Sequence, residues 1–243
     1  MNLFRNFMTV CAMTSVAMPS VWGADDLGEP AITLKSDAFK EIGAANSFHI
    51  LISSTEPTYF DIDMGNGPFE VGVEPATIVD GAWEGTFVSC HVNEAGEIKI
   101  YGDPSKIDVF NCEGGYITDI DLSKCTNLEF LNLSHNALKG LDLTPNANLL
   151  AVYLTDNPGT PETPIKVGGP KNNLSILEVD IIDHLDPGFD LTQYPNLVSF
   201  DAYHTPSLKS VDLSNSKNLQ TISLEMTSVE SVDFSKCPLL GHV

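Results

Sequence analysis

Residues 128–157 read LEFLNLSHNALKGLDLTPNANLLAVYLTDN, and the spacing inside that stretch decides the fold. Leu128, Leu138 and Leu149 each open the phrase L-x-x-L-x-L-x-x-N, so two phrases make a period of 21 residues. Downstream the phrase returns at Leu197 (LVSFDAYHT), Leu208 (LKSVDLSNS), Leu219 (LQTISLEMT) and Val229 (VESVDFSKC). Upstream it stands at Ile117 (ITDIDLSKC) and, more weakly, at Ile107 (IDVFNCEGG). The L-x-L core alternates in and out, which is strand periodicity, and the polar links are too short for long helices. One such phrase arises by chance, but this many in near-constant register do not. They specify a solenoid in which each turn buries its leucines against its neighbours.

The stretch before the repeats alternates as a small antiparallel β domain. Candidate strands are Phe48–Ser53, Tyr59–Met64, Phe69–Val73, Thr86–Val92 and Glu97–Tyr101, with turns at Gly65-Asn66-Gly67 and Glu94-Ala95-Gly96. The expected fold class is mainly β: a signal peptide over 1–23, an N-terminal β domain over 24–105, and a repeat solenoid over 106–243. The last strand of the β domain is expected to run into the solenoid and cap its first turn. At the other end a new phrase starts at Leu239 and the chain stops at Val243, apparently without a C-terminal cap.

The repeat phrases, together with Phe60-Asp-Ile-Asp-Met-Gly-Asn-Gly67 and Ile98-Lys-Ile-Tyr-Gly102 ahead of them, resemble the leucine-rich-repeat family. The likeness is to its short-repeat, internalin-like surface proteins of Bacteroidetes-type bacteria. It implies a secreted or surface-displayed binding scaffold. It also implies that Cys125 and Cys237, which hold the Asn position of the phrase, face inward and serve the turn. Cys112 falls at an L-x-L core position, and buried structural thiols are the expected reading. Cys125 and Cys237 lie several turns apart, too far to bridge; only Cys90 with Cys112 makes a plausible pair.

Two classes of phrase emerge. In one, Asp121, Asp142, Asp190, Asp212 and Asp233 recur almost unchanged, each followed two residues on by Ser or Thr. That constancy indicates a structural job such as accepting turn hydrogen bonds, with like charges at strand spacing as its cost. In the other class the outward positions vary. Asn132, Tyr153, Glu178, Asp201 and Ser223 form one column, and Ser134, Thr155, Asp180, Tyr203 and Glu225 the next. A varied face with two tyrosines and several acids suits recognition, and equally suits an ordinary solvated strand face. The Pro/Gly-rich insertion at 158–173 is a second candidate element, expected as a loop at the rim of that face. A further insertion, Asp183–Gly188, expands the next turn.

Charge narrows the partners. The 243 residues carry a formal net charge of −21, which repels nucleic acid and anionic membrane surfaces. The first residues hold one positive charge, Arg5, then an apolar run from Phe7 to Val16 and small residues at Val21 and Gly23, the pattern of a secretory signal. No other segment is long and apolar enough to span a membrane. The six histidines are scattered, and neither a nucleophile elbow nor a phosphate-binding loop is present. Asp61, Asp63 and Asn66 are the only calcium candidates and lack the ligand count of a calcium loop. No enzyme activity, cofactor or metal is expected. The expected function is binding of a protein or glycan, with self-association through the open C-terminal repeat; the alternative is a passive spacer or the front portion of a longer surface protein.

Overall fold

The computed structural model describes residues 18–19, 27–43, 46–79 and 82–243. Most of the stretch read as a signal peptide lies outside the described residues. Within it only Met18–Pro19 (β1) is described, as a short strand paired antiparallel with Phe69 and Glu70.

Strands β2 (Ile32–Ser36), β3 (Phe48–Ser54), β4 (Thr58–Asp63), β5 (Pro68–Val73), β6 (Thr77–Val79), β7 (Ala82–Glu84), β8 (Thr86–Cys90) and β9 (Glu97–Tyr101) precede the repeats, with one short helix, α1 (Ala38–Ile42). The repeats supply β10 (Ile107–Asn111), β11 (Ile117–Asp121), β12 (Phe130–Asn132), β13 (Leu141–Asp142), β14 (Ala151–Tyr153), β15 (Ile165–Lys166), β16 (Ile176–Glu178), β17 (Ser199–Asp201) and β18 (Thr221–Ser223). The period does what the sequence requires. β10, β12, β14, β16, β17 and β18 stack in parallel, each one turn after the last, with Val109, Phe130, Ala151, Ile176, Ser199 and Thr221 in register.

The repeats and the preceding β domain share their sheets. One sheet runs β18-β17-β16-β14-β12-β10-β3-β8 and the other β1-β5-β4-β9-β2-β11. β3 joins β10 and β2 joins β11, both antiparallel, so the two layers of the β domain continue into the two walls of the first turn. β9, expected to cap the first turn, instead lies inside its own sheet between β4 and β2. The apolar ladder ends are covered by β2 and β3. Their inward residues Ile32, Leu34, Ile50 and Ile52 pack in one core with Leu128, Leu131, Leu133 and the later repeat leucines. Each such side chain contributes about 1.5–3 kcal/mol when fully withdrawn from water.

The corners are polar ladders. At one corner Asn136 and Asn157 donate to carbonyls of the preceding turn, Cys112 O and Leu133 O, and Thr205 donates to Val179 O. At the other stand Cys125, Asn146, Lys171, Tyr194, Ser216 and Cys237, all buried. Asn146 reaches Leu122 O and Cys125 O. Lys171 does the same job with an ammonium, donating to Leu143 O at 2.9 Å.

Residues 158–173 are therefore not a rim loop. Ile165 and Val167 are buried, β15 pairs with β13, and the segment forms the wall opposite the variable strands. After Asn157 the chain must cross that wall to reach Lys171, and Ile165-Lys166-Val167 is the crossing strand. In the last turn Leu224, Val229, Val232, Phe234 and Leu240 are only partly buried, Leu239 is exposed, and His242 bridges to Thr221.

Candidate functional site

The first variable column is a true register line: Asn132, Tyr153, Glu178, Asp201 and Ser223 are successive partners across β12, β14, β16, β17 and β18. The second column is tied by the turn backbone. His135 N–H donates to Thr155 O, Asp156 N–H to Asp180 O, Ile181 N–H to Tyr203 O, and His204 N–H to Glu225 O. The residue just after this column is left-handed in each turn: Gly114, His135, Asp156, Ile181, His204 and Met226 all have φ between 52° and 65°. That kink turns the chain off the strand and holds the column at its lip.

Seven of the ten candidate residues line one groove of about 320 Å³: Asn132, Ser134, Tyr153, Thr155, Glu178, Asp180 and Asp201. Tyr203, Ser223 and Glu225 lie farther along the same face, outside the groove. Glu113, Phe130 and His135 complete its lining. Glu113 was missed in the sequence because the first phrase, IDVFNCEGG, is weak. It stands one 21-residue period before Ser134, so the register itself would have found it.

One end of the groove is apolar. Phe130 and Tyr153 lie with ring centroids 5.6 Å apart, in a small cluster with Leu51, Val109 and Ala151 that Ala76 and Phe87 cover. The other end is acidic. Tyr203 N–H donates to both Asp180 Oδ1, at 3.0 Å, and Asp201 Oδ1, at 3.2 Å. Burial, followed by the hydrogen bond and charge of Asp201 and the charge of Glu178, pushes the Asp180 carboxyl up to about 8. Burial likewise raises the Tyr153 hydroxyl. At the near end Asn132 donates to Glu113 Oε2 at 3.0 Å, and His135 Nδ1 lies 3.2 Å from Asp156 Oδ2.

Part of the first column also holds the fold. Asn111, Asn132 and Asp201 each accept the backbone N–H two residues on, closing the turn after the strand. On the opposite wall Asp121, Asp142, Asp190, Asp212 and Asp233 do the same, at 2.8–2.9 Å. The expected stack of like charges is broken in the first turns. Asp121 faces Thr33 on β2, and Asp142 faces Lys166 on β15, its carboxylate 3.1 Å from the ammonium. Because β11 pairs with β2 and β13 with β15, the wall splits. The cleft between them, about 600 Å³, is lined by Lys35, Lys139, Lys166, Asp119 and Asp142 among others.

The remaining candidates resolve as structure. Asp63 Oδ1 accepts from Gly65 and Gly67 N–H, so it closes the hairpin turn around Asn66, and Asp61 lies two residues back in β4. Among the described residues no three His, Cys, Asp or Glu side chains gather as metal ligands. Cys90, Cys112, Cys125 and Cys237 are buried free thiols. β3 lies between β8, which ends at Cys90, and β10, which leads into Cys112. Neither is bonded to the other in this structure, although the charge of Cys90 adds to the burial that holds the Cys112 thiol well above its ordinary value. Among the described residues no helix is long and apolar enough to cross a membrane.

Comparison with known proteins adds little. No family description matches the chain, and no curated protein matches it in sequence. Among solved structures it is similar to the functional domain of InlJ from Listeria monocytogenes, described as including a cysteine ladder. The identity is 16% and the TM-score 0.31, over 63% of this chain and 42% of that one. The chain thus spans less than half the length of that structure. The fold rests on the ladder register above, not on this likeness.

Proposed function

We propose that the chain is an internalin-like leucine-rich-repeat binding module, exported to the cell surface or beyond, that holds a protein or glycan on its variable strand face. The observation that supports this is convergence: seven variable positions, from four successive turns, meet in one groove with an aromatic end and an acidic end. Invariant positions of the same repeats point to turns or to the opposite wall. The passive-spacer reading draws on Asn132 and Asp201, whose side chains already serve turns. Export rests on the apolar run Phe7–Val16 and is tested by the mature N-terminus, expected near Ala24. Self-association through the last turn, where Leu239 is exposed, is a further proposal; sedimentation should show it weakened by Leu239→Asp.

The deciding experiment immobilises the wild-type chain and a Glu178→Gln/Tyr203→Ala variant, changed at a half-buried and an exposed position and checked to keep the wild-type melting temperature. Both are compared on a glycan array and against purified surface proteins. A ligand held by the wild type and lost by the variant supports the reading. Identical binding profiles, or none, leave the spacer.

A further inference from the structure

The split between β11 and β13 is a ladder left unmade, and we infer that it is a second binding site, independent of the strand face, for a carboxylate-bearing sugar. At one end Lys139 N–H donates to Thr118 O and ties the two strands together. Beyond that bond they part, each pairing with a different neighbour. The 21-residue period would set Asp142 beside Asp121 and pair the Asp142 N–H with the Ile120 carbonyl. Leu141 and Leu143 N–H donate to Pro164 O and Lys166 O on the β15 side, so the Asp142 peptide between them faces the split. On the other bank Ser36 N–H donates to Gly96 O, which turns the alternate peptides of β2, at Thr33 and Lys35, toward Asp121 and Asp119. The Ile120 peptide is left facing the split from that side. Strand edges in such a place take their partners from outside the fold.

The side chains select the guest. Lys35, Lys139 and Lys166 line the cleft, three of only 12 cationic side chains in a chain with 33 acids. Lys166 is held by Asp142. Among the described residues Lys35 and Lys139 have no ion-pair partner, although Asp119 is the register partner of Lys35. Both lysines are exposed and make a cationic spot on an acidic molecule. At physiological salt the surrounding negative field is screened beyond about 8 Å, so contact decides.

A bare sulfate or phosphate would meet Asp119 and Asp142 as well and brings no donor for them. A sugar acid brings both kinds of group. Its carboxylate suits the ammonium groups and peptide N–H donors, and its hydroxyls donate to the Asp119 carboxylate and the Ile120 carbonyl. Ile120 and Leu141, with Pro164, give the ring an apolar surface. The volume, about 600 Å³, falls among those of small-ligand sites. An extended peptide fits less well, because the bond from Lys139 to Thr118 closes one end.

The test titrates the full chain with two labelled probes, a hyaluronan tetrasaccharide and sialyllactose, read by fluorescence anisotropy. Each is compared with the same sugar after reduction of its carboxyl groups to alcohols. At least one acid form should bind about tenfold more tightly than its reduced form, and which one does so names the source. Lys35→Gln with Lys139→Gln should weaken that binding about tenfold, and Lys217→Gln with Lys236→Gln, exposed and away from the cleft, less than about twofold. The Glu178→Gln/Tyr203→Ala variant should bind as the wild type does. No preference for either acid form overturns the inference. Equal weakening by both lysine pairs means diffuse attraction and also overturns it. Inorganic sulfate that displaces the sugar at equal concentration would make this a bare-anion site and overturn the sugar assignment. Binding lost with Glu178→Gln/Tyr203→Ala but kept without the cleft lysines would move the sugar to the strand face, removing this site and supporting that reading.

Discussion

Lys171 donates its ammonium to the carbonyl oxygen of Leu143 at 2.9 Å, one turn back, from a position with no solvent exposure. Burial pulls the amine down to about 8. A lysine whose folded value is depressed carries a penalty below that value, relieved as pH rises from about 8 toward its ordinary range. Asn146 meets the equivalent carbonyl with a neutral amide. Lys171→Asn should therefore raise the melting temperature at pH 7, with the gain shrinking by pH 10. A loss at both pH values would show that the long arm, not the donor, is what the corner needs.

Asp180 behaves in the opposite sense to the turn aspartates. Its folded value is raised, so its favourable state is fully present below pH 4 and is lost as pH rises through about 8. The Ser123 hydroxyl and amide lower Asp121, and those of Thr192 lower Asp190; their contribution is present above pH 4 and lost in stronger acid. From these groups thermal unfolding should thus be most resistant near pH 4 to 5 and weaken progressively toward pH 8. Asp180→Asn should stabilise the chain by about 1 kcal/mol at pH 9 and by almost nothing at pH 4. The same difference at both values would remove the assignment.

Ile181 is a β-branched residue at φ 53°, where neighbouring turns place histidine, aspartate or glycine. Left-handed backbone costs such a residue roughly 1–2 kcal/mol. Ile181→Asn, at a site 39% exposed, should raise stability by about 1 kcal/mol in denaturant titration. A loss would mean that its side chain contributes packing that outweighs the strain.

At Asp121 the acceptor matters more than the charge. Its Oδ1 takes the Ser123 N–H at 2.9 Å. Asp121→Asn, which keeps the acceptor and loses the charge, should cost less than Asp121→Ala, which should cost about 1 kcal/mol. Equal costs would assign the role to charge.

The thiols should be silent. Burial pushes Cys90 and Cys125 up to about 12, so neither is a thiolate at neutral pH. Alkylation of the native chain should leave Cys90, Cys112, Cys125 and Cys237 unmodified, and denaturation without reductant should expose all four. A mass two units short would reveal a bridge.

The strand register was legible because the period fixes which residues stack, and parallel pairing carries each outward position onto its neighbour. Asn132, Tyr153, Glu178, Asp201 and Ser223 needed nothing else. What failed was pairing that the period does not encode. Ile32–Ser36 was unread as a strand, yet it draws β11 away from β13 and so separates Asp121 from Asp142. The wall at 158–173 hid behind its prolines and glycines, with only Ile165 and Val167 showing the alternation. Lys171 stood at the asparagine corner but inside the insertion, where no phrase marked it. The groove itself depended on depth, which a linear pattern does not contain.

The shared sheets tie residues that are far apart in the chain. Ser36 pairs with Ile117, and Ser54 with Ile107, whereas the repeat strands meet partners 21 to 25 residues away. A chain emerging from the ribosome can therefore close neither layer of its leading domain until the first repeat has been synthesised. Each later turn then adds to a finished template at short loop length. The slow step of assembly belongs to that first closure, and a truncation ending near residue 105 should emerge as two unmatched sheet edges prone to pairing with another copy.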